Sequence, residues 1–348
     1  MILPCWHCAI VDRVEVEPEV EMINAGIVGV GVCLPERVLT NDDLAQMVDT
    51  NDAWIQERTG IRERRIAAAD QAASDLGLVA ARQALDNAGV TPQDIDLIIV
   101  ATATSDMQFP ATACVIAEKL GLNTTPAFDV TAGCTGFIYA LTIGSQFIIN
   151  GFYRTVLVIG AEVLSKVTNW TDRETCILLA DGAGAVVLRP VAADQGILAM
   201  KLGADGAGGK ELFLPAGGSR MPLTAEGLAA NLNKLHMNGS EVFKFAMKML
   251  PEVTGQALDM AGLTTEDIAL IIPHQANLRI IEAAARRMEL PLEKFMVNLD
   301  RYGNTSSASI PIALHEALAT GRIKAGDALV LTGFGAGLTW GAVVLRWI

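Results

Sequence analysis

The sequence predicts an α/β protein built from two similar halves, and three observations lead there. Gln83–Ile99 aligns without a gap to Gln256–Ile272, with 12 of 17 positions identical at an offset of 173. The same offset relates Thr155–Gly160 to Ala328–Gly333. Two matches at one spacing point to duplication rather than to a solenoid, which needs more and shorter copies. Each half also alternates apolar runs of strand length with helical segments, the α/β pattern. Finally, Val130–Tyr153 holds no charged residue, a length that can span a bilayer. Its Gly133, Gly136, Gly144, Ser145, Gln146, Asn150 and Gly151, and the lack of flanking basic clusters, make it instead a helix buried on all sides where two halves pack.

The elements follow in order. Residues 1–21 are acidic and aperiodic, an extension expected to be poorly ordered, and Met22 is a candidate natural start. Residues 22–195 then form the first half and 196–348 the second. Cys5-Trp6-His7-Cys8 offers metal-ligand chemistry but has no second half elsewhere in the chain, so no metal is expected. Met22–Gly31 reads as a strand feeding a glycine-rich turn. Its Gly29-Val30-Gly31 begins like a dinucleotide fingerprint, but Pro35 would break the helix that must follow. Asp70–Ala88 and Val242–Ala261 carry apolar residues at helical spacing. Leu97–Ala101, Val156–Gly160, Leu270–Ile272 and Leu329–Thr332 read as buried, mostly parallel strands.

Composition narrows the function. With 51% hydrophobic and only 19% charged residues, the chain is too apolar for disorder. Its 26 Lys and Arg stand against 39 Asp and Glu, a net charge of −13, which argues against a nucleic-acid binder. Six cysteines are too few for a disulfide scaffold, and the first residues lack the basic start of a signal peptide. A reducing cytoplasm fits best.

Chemistry is expected beyond the carboxyl ends of the strands and at helix starts. Cys134 sits between Gly133 and Gly136 where the uncharged helix begins, and a helix N-terminus lowers a thiol pKa. The plain alternative is a small buried thiol used for packing. His274, in Pro273-His274-Gln275-Ala276-Asn277, lies just past a strand end, where it can also be a satisfied core histidine. Asn304 precedes a helix and can be an N-cap or turn residue. Gly303-Asn304 matches Gly133-Cys134 at an offset of 170, three residues from the main one. The two segments are therefore read as nearly matching helix starts facing across a pseudo-twofold axis. A Cys, a His and an Asn brought together suit acyl transfer. Gly333–Gly341, after the strand Leu329–Thr332, can aim a backbone N–H at developing negative charge or be a tight turn between strands.

These residues carry a resemblance. Trp54–Arg64, the Cys134 segment, Asp181–Val187, Pro273–Arg279, Gly303–Ser306 and Gly335–Gly341 resemble, in order, the β-ketoacyl-[acyl-carrier-protein] synthase III family of the thiolase superfamily. Elongating synthases of that superfamily use two histidines with the cysteine, and thiolases use a second cysteine. Asn304 departs from both. The resemblance implies a thiolase-like fold in five αβαβα layers and a decarboxylative condensation of a short acyl-CoA with malonyl-acyl-carrier protein. It implies Cys134 as nucleophile, and backbone N–H groups of Cys134 and Ala336 as oxyanion hole, although many relatives carry Gly at the latter position. His274 and Asn304 would hold the malonyl thioester carbonyl, and a neutral imidazole would serve better than a cation if it also helps generate the thiolate. CoA would meet Thr50, Trp54, Arg58, Arg173, Gly239 and Asn277. Phe109 would floor the acyl pocket of a partner in a homodimer, near Leu164 and Thr168. Lys244, Arg279, Arg286 and Arg287 would dock the acidic carrier protein, although Arg286-Arg287 also reads as a solvated helix face. Acyl-CoA is a substrate, so no cofactor is implied. A condensing enzyme of polyketide or other secondary metabolism on the same fold, and a non-catalytic acyl-CoA-binding paralogue, are the alternatives.

Overall fold

The computed structural model describes residues 23–348. The acidic N-terminal stretch, with Cys5, Cys8 and Met22, lies outside the described residues. The first half supplies the strands Ile23–Cys33 (β1), Leu97–Ala101 (β2), Ala127–Val130 (β3), Val156–Val163 (β4) and Asp181–Ala192 (β5). They form one sheet in the order β1-β5-β4-β2-β3. The second half supplies Gly196–Ala204 (β6), Ile268–Pro273 (β7), Ala328–Gly335 (β8) and Thr339–Arg346 (β9), ordered β6-β9-β8-β7. Where β3 would have its counterpart, a single parallel bridge joins Ile271 to Phe295. The two sheets thus share one topology, as the repeat requires.

The repeated sequence is a helix end, a turn and a strand. Helices Ala73–Ala88 and Gly239–Ala261 both stop at a left-handed glycine, Gly89 (φ 65°) and Gly262 (φ 66°), the conformation glycine adopts without a Cβ penalty. The backbone N–H of Thr91 then donates to the Asp94 carboxylate at 2.7 Å, and that of Thr264 to Asp267 at 2.8 Å. β2 and β7 follow. These constraints act on the same positions in both copies and account for the identities there.

Seven helices matter for the site: Asp52–Thr59 (α1), Ala73–Ala88 (α2), Thr112–Lys119 (α3), Gly136–Ile149 (α4), Gly239–Ala261 (α5), Leu278–Arg287 (α6) and Ser309–Ala319 (α7). α2 and α3 cover the outer face of the first sheet, α5 and α6 that of the second. α4 and α7 lie between the sheets. Phe137, Ile138, Leu141, Ile310 and Leu314 pack there with Ile99, Val158 and Val186 of one sheet and Leu270, Leu329 and Val343 of the other. This is the five-layer thiolase-like arrangement. The uncharged stretch is therefore a strand end, a turn and a 14-residue helix packed between the sheets, not buried on all sides as expected: Gln146 is exposed and Thr142 and Ile143 are half-buried. No described helix is long and apolar enough to cross a membrane.

Two expectations need correction. The strands are mixed: β2 pairs in parallel with β3 and β4, and β7 with β8, but β1-β5, β4-β5, β8-β9 and β6-β9 are antiparallel. The turn from β8 to β9 is too short to hold a crossover helix, so that pair can only be antiparallel. Nor does Gly29-Val30-Gly31 form a turn, since β1 runs through it. A Cβ at Gly29 would lie 2.3 Å from the Ala84 carbonyl oxygen and one at Gly31 2.2 Å from that of Ala80. These glycines let α2 lie directly on the strand.

Candidate active site

Two short turns carry the central residues. Gly133–Thr135 leads into α4 and Ser306–Ala308 leads into α7, and they pack against each other at the middle of the molecule. The helices begin at Gly136 and Ser309, again 173 apart. The 170-residue match of Cys134 to Asn304 is therefore not the structural one. Cys134 corresponds to Ser307, and Asn304 lies three residues upstream in extended backbone, bridged to Leu179. The helix starts do face one another, and Asn304 reaches the site from the approach to α7.

The Cys134 turn is wedged against the turn joining β8 to β9. A Cβ on Gly335 would sit 2.6 Å from the Cys134 backbone nitrogen, and one on Gly133 (φ 53°) 2.8 Å from that of Ala336. Thr339 ties the two turns. Its hydroxyl bonds to that of Thr135 and lies 3.0 Å from the Ala132 and Ala336 carbonyl oxygens. The glycine-rich stretch is thus mostly strand, with Ala336-Gly337-Leu338 as the tight turn between two strands that the plainer reading gave.

Gly133, Cys134, Asn304, Ser306 and Ala336 line one cavity of about 80 Å³. Leu164, Leu178, Leu179, Leu212, Leu235 and Met237 complete its apolar wall. Burial pushes the Cys134 thiol up to about 12, against the pull of the Ser306 hydroxyl, and the nearby Glu162 carboxylate adds to the rise. Desolvation outweighs the lowering expected at a helix start.

Asn304 is oriented by its own turn. Its Oδ1 accepts the Ser306 N–H at 2.9 Å, and its backbone is pinned by Asn304 N–H to Leu178 O at 2.8 Å and Ala180 N–H to Asn304 O at 2.9 Å. Ser306 has φ 48°, unusual for a residue with a side chain. Glu162, fully buried at the end of β4, braces this turn. Its carboxylate accepts from Ala103 N–H (3.1 Å), Thr104 Oγ1 (2.6 Å), Ser306 Oγ (3.1 Å) and Ser307 Oγ (2.8 Å). Burial raises its pKa while these donors oppose the rise. Sequence reasoning missed Glu162, although a lone acid ending an apolar strand is a visible signal.

His274 follows β7 and is 1% exposed. Its N–H continues the ladder to Thr332 O at 2.8 Å, and its ring stands edge-on to Phe334, centroids 5.5 Å apart. Burial pushes the imidazole down to about 3, which favours the neutral ring.

The remaining candidates lie farther out. The Arg58 and Arg173 guanidinium carbons lie 5.4 and 5.2 Å from the Trp54 ring centroid, within cation–π range. Thr50 Oγ1 is buried and has no hydrogen-bond partner among the described residues, and Gly239 opens α5. Asn277 caps α6 through Oδ1 and donates Nδ2 to Arg58 O at 3.0 Å, joining α6 to the end of α1. Phe109 is 83% exposed and outside the cavity wall, and Thr168 is buried against Leu164 O. Lys244 lies on α5, and Arg279, Arg286 and Arg287 on α6. Three of these have partners: Lys244 pairs with Glu241 at 2.7 Å, Arg279 covers Phe243 and Arg287 donates to Met247 O.

Comparison with known proteins decides the family. The model for 3-oxoacyl-[acyl-carrier-protein] synthase III matches residues 128–206 and that for its C-terminal part matches 258–347, spans that hold Cys134, His274, Asn304 and Ala336. The β-ketoacyl-[acyl-carrier-protein] synthase III of Caldanaerobacter subterraneus is 56% identical over 94% of this chain and 99% of its own. That of Symbiobacterium thermophilum is 57% identical over 92% and 98%. The chain belongs to the β-ketoacyl-[acyl-carrier-protein] synthase III family. The crystal structure of 3-oxoacyl-[acyl-carrier-protein] synthase III from Aquifex aeolicus superposes with a TM-score of 0.87 at 46% identity, covering 93% of this chain and all of that one. Neither alternative on the same fold is favoured by these matches.

Proposed function

We propose that this synthase III condenses a short acyl-CoA with malonyl-acyl-carrier protein through an acyl-Cys134 intermediate. The observation that carries the reading is the single cavity uniting the Cys134 thiol, the Ala336 turn and an Asn304 amide whose oxygen is already occupied. In the first transfer the bond from Cys134 Sγ to the acyl carbon forms as that to the CoA sulfur breaks. The N–H groups of Cys134 and Ala336 hold the oxyanion, and CoA leaves as the thiol. Malonyl-carrier protein then loses CO₂. Its thioester oxygen takes up enolate charge against His274 Nε2 and Asn304 Nδ2, and its α-carbon attacks the acyl carbon. The Cys134 thiolate departs and is reprotonated.

The apolar wall of Leu164, Leu178, Leu179, Leu212 and Leu235 suits a short acyl chain. Trp54 between Arg58 and Arg173 suits the adenine end of CoA, with Thr50, Gly239 and Asn277 along the pantetheine path. The exposed Phe109 suits the acyl pocket of a second copy in a homodimer. Lys244, Arg279, Arg286 and Arg287 give an acidic carrier protein a local basic face on an acidic chain. Residues 22–195 and 196–348 serve as the two halves, in a cytoplasmic enzyme that works without a cofactor. Radiolabelled acetyl-CoA tests the scheme: wild type retains label on Cys134 and Cys134→Ala retains none. Equal labelling of the two proteins removes Cys134 as nucleophile.

A further inference from the structure

Ser309, the first residue of α7, meets the catalytic centre from behind. Its hydroxyl is buried and lies 2.7 Å from His274 Nδ1, and the Gln275 backbone N–H donates to the same oxygen at 3.3 Å. Among the described residues the hydroxyl has no third partner. A serine hydroxyl carries one proton and two lone pairs. The Gln275 N–H occupies a lone pair and offers nothing that could accept the Ser309 proton. The only acceptor within reach is therefore His274 Nδ1. If Nδ1 held a proton instead, two donors and the hydroxyl proton would crowd one buried oxygen, and that proton would go unpaired, a cost of about 1–3 kcal/mol.

Resting on the reading of His274 as a carbonyl donor, we infer that Ser309 is a positioning residue that fixes His274 as the Nε2–H tautomer. With Nδ1 engaged, the remaining ring proton sits on Nε2, where it can be given to the malonyl thioester oxygen. In this tautomer Nε2 has no lone pair for the Cys134 proton, so His274 works in the condensation and not as the base of the acylation. The edge of Phe334 and the Thr332 carbonyl, which accepts the His274 N–H, hold the ring and its backbone while Ser309 sets its proton.

The duplication supports this assignment independently. At the common offset of 173, His274 corresponds to Ala101 and Ser309 to Gly136. In the first half these two positions also touch: a Cβ on Gly136 would lie 3.1 Å from that of Ala101. The same helix-to-strand contact is thus a bare packing contact in one half and a Ser–His hydrogen bond in the other. Both members of the pair differ together, as expected if the hydroxyl exists to serve the imidazole.

Nitrogen NMR of the protein labelled with ¹⁵N-histidine tests the tautomer without recourse to activity. The chain has four histidines, and His274→Gln identifies the signal. The expected result at pH 7 is an unprotonated, acceptor-type Nδ1 and a protonated Nε2. A protonated Nδ1 overturns the inference. In Ser309→Ala, labelling of Cys134 by acetyl-CoA stays within about threefold of wild type. The kcat for condensation falls about 10- to 100-fold with little change in KM, less than the 10²–10³ typical of deleting a donor outright. Ser309→Thr, which keeps the hydroxyl, restores most of the rate. Wild-type condensation by Ser309→Ala sinks the proposal. If wild type itself fails to condense, the functional reading falls while the tautomer measurement still decides the role of Ser309. Should Ser309→Ala not fold, the wild-type spectrum decides alone.

Discussion

The Ser306 backbone N–H reaches Asn304 Oδ1 at 2.9 Å, and this one bond decides which end of the Asn304 amide faces the cavity. With the oxygen occupied, the Nδ2 donors are left for a substrate carbonyl. Asn304→Asp keeps the shape and the bond to Ser306 but replaces the donor with an acceptor. Condensation is expected to fall by about 10²–10³, the usual loss when an oxyanion donor is removed. Acetyl transfer from acetyl-CoA to Cys134 should remain near wild type. Single-turnover labelling beside product formation checks this, and equal losses in both steps would remove Asn304 from the second step.

Glu162 is expected to support that donor from a distance. Glu162→Gln places an amide where five donors converge, the four named above and the Thr102 hydroxyl at 3.5 Å, leaving at least one of them without an acceptor. The expected cost in unfolding free energy is about 1–3 kcal/mol, read from denaturant midpoints. Because two of the donors are the Ser306 and Ser307 hydroxyls, condensation should fall more than acylation. A variant as stable and as active as wild type would show that the carboxylate is dispensable.

Much of this arrangement was legible in the sequence, and the misses have physical causes. Duplication, the helix–turn–strand repeat, the buried central helix and the positions of Cys134, His274 and Asn304 follow from periodicity, glycine placement and motif. The partners of these three residues do not, because they depend on how the halves dock. Glu162 and Ser306 are 144 residues apart and His274 and Ser309 are 35 apart. Hydroxyls in the run Thr305–Ser309 look alike as letters, yet Ser306 braces Asn304, Ser307 bonds Glu162 and Ser309 bonds His274. Glycines were equally ambiguous. Those of Gly29-Val30-Gly31 suggested a turn and instead admit a helix backbone.

The buried histidine also makes stability depend on pH. Its folded value of about 3 lies below the ordinary 6.5, so between these pH values the unfolded chain binds a proton that the folded chain does not. Stability therefore rises with pH across that window and falls on acidification. This one group contributes up to about 1.4 kcal/mol per pH unit. Other acid-sensitive groups are common to wild type and His274→Gln and cancel in the comparison. From pH 7 to pH 5 wild type should lose about 1–2 kcal/mol more than the variant in urea unfolding. Parallel losses would mean that the imidazole is protonated in the folded protein.

One substitution at two glycines should separate close approach from conformational freedom. Gly255 lies within α5, and a Cβ there meets nothing within 4 Å. Gly255→Ala should stabilise the protein by about 0.5–1 kcal/mol, since glycine weakens a helix interior. Gly335 likewise has no left-handed φ that would require glycine, but a Cβ would fall 2.6 Å from the Cys134 nitrogen and 3.1 Å from that of Thr135. Neither atom belongs to a flexible side chain, so the turn that carries Cys134 must itself move. Gly335→Ala should lose label transfer from acetyl-CoA by at least about 100-fold, as expected when reacting atoms are displaced by an ångström. Circular dichroism and thermal melting distinguish a displaced turn from an unfolded chain. A folded Gly335→Ala that acylates at the wild-type rate would mean that the turn joining β8 to β9 does not set the position of Cys134.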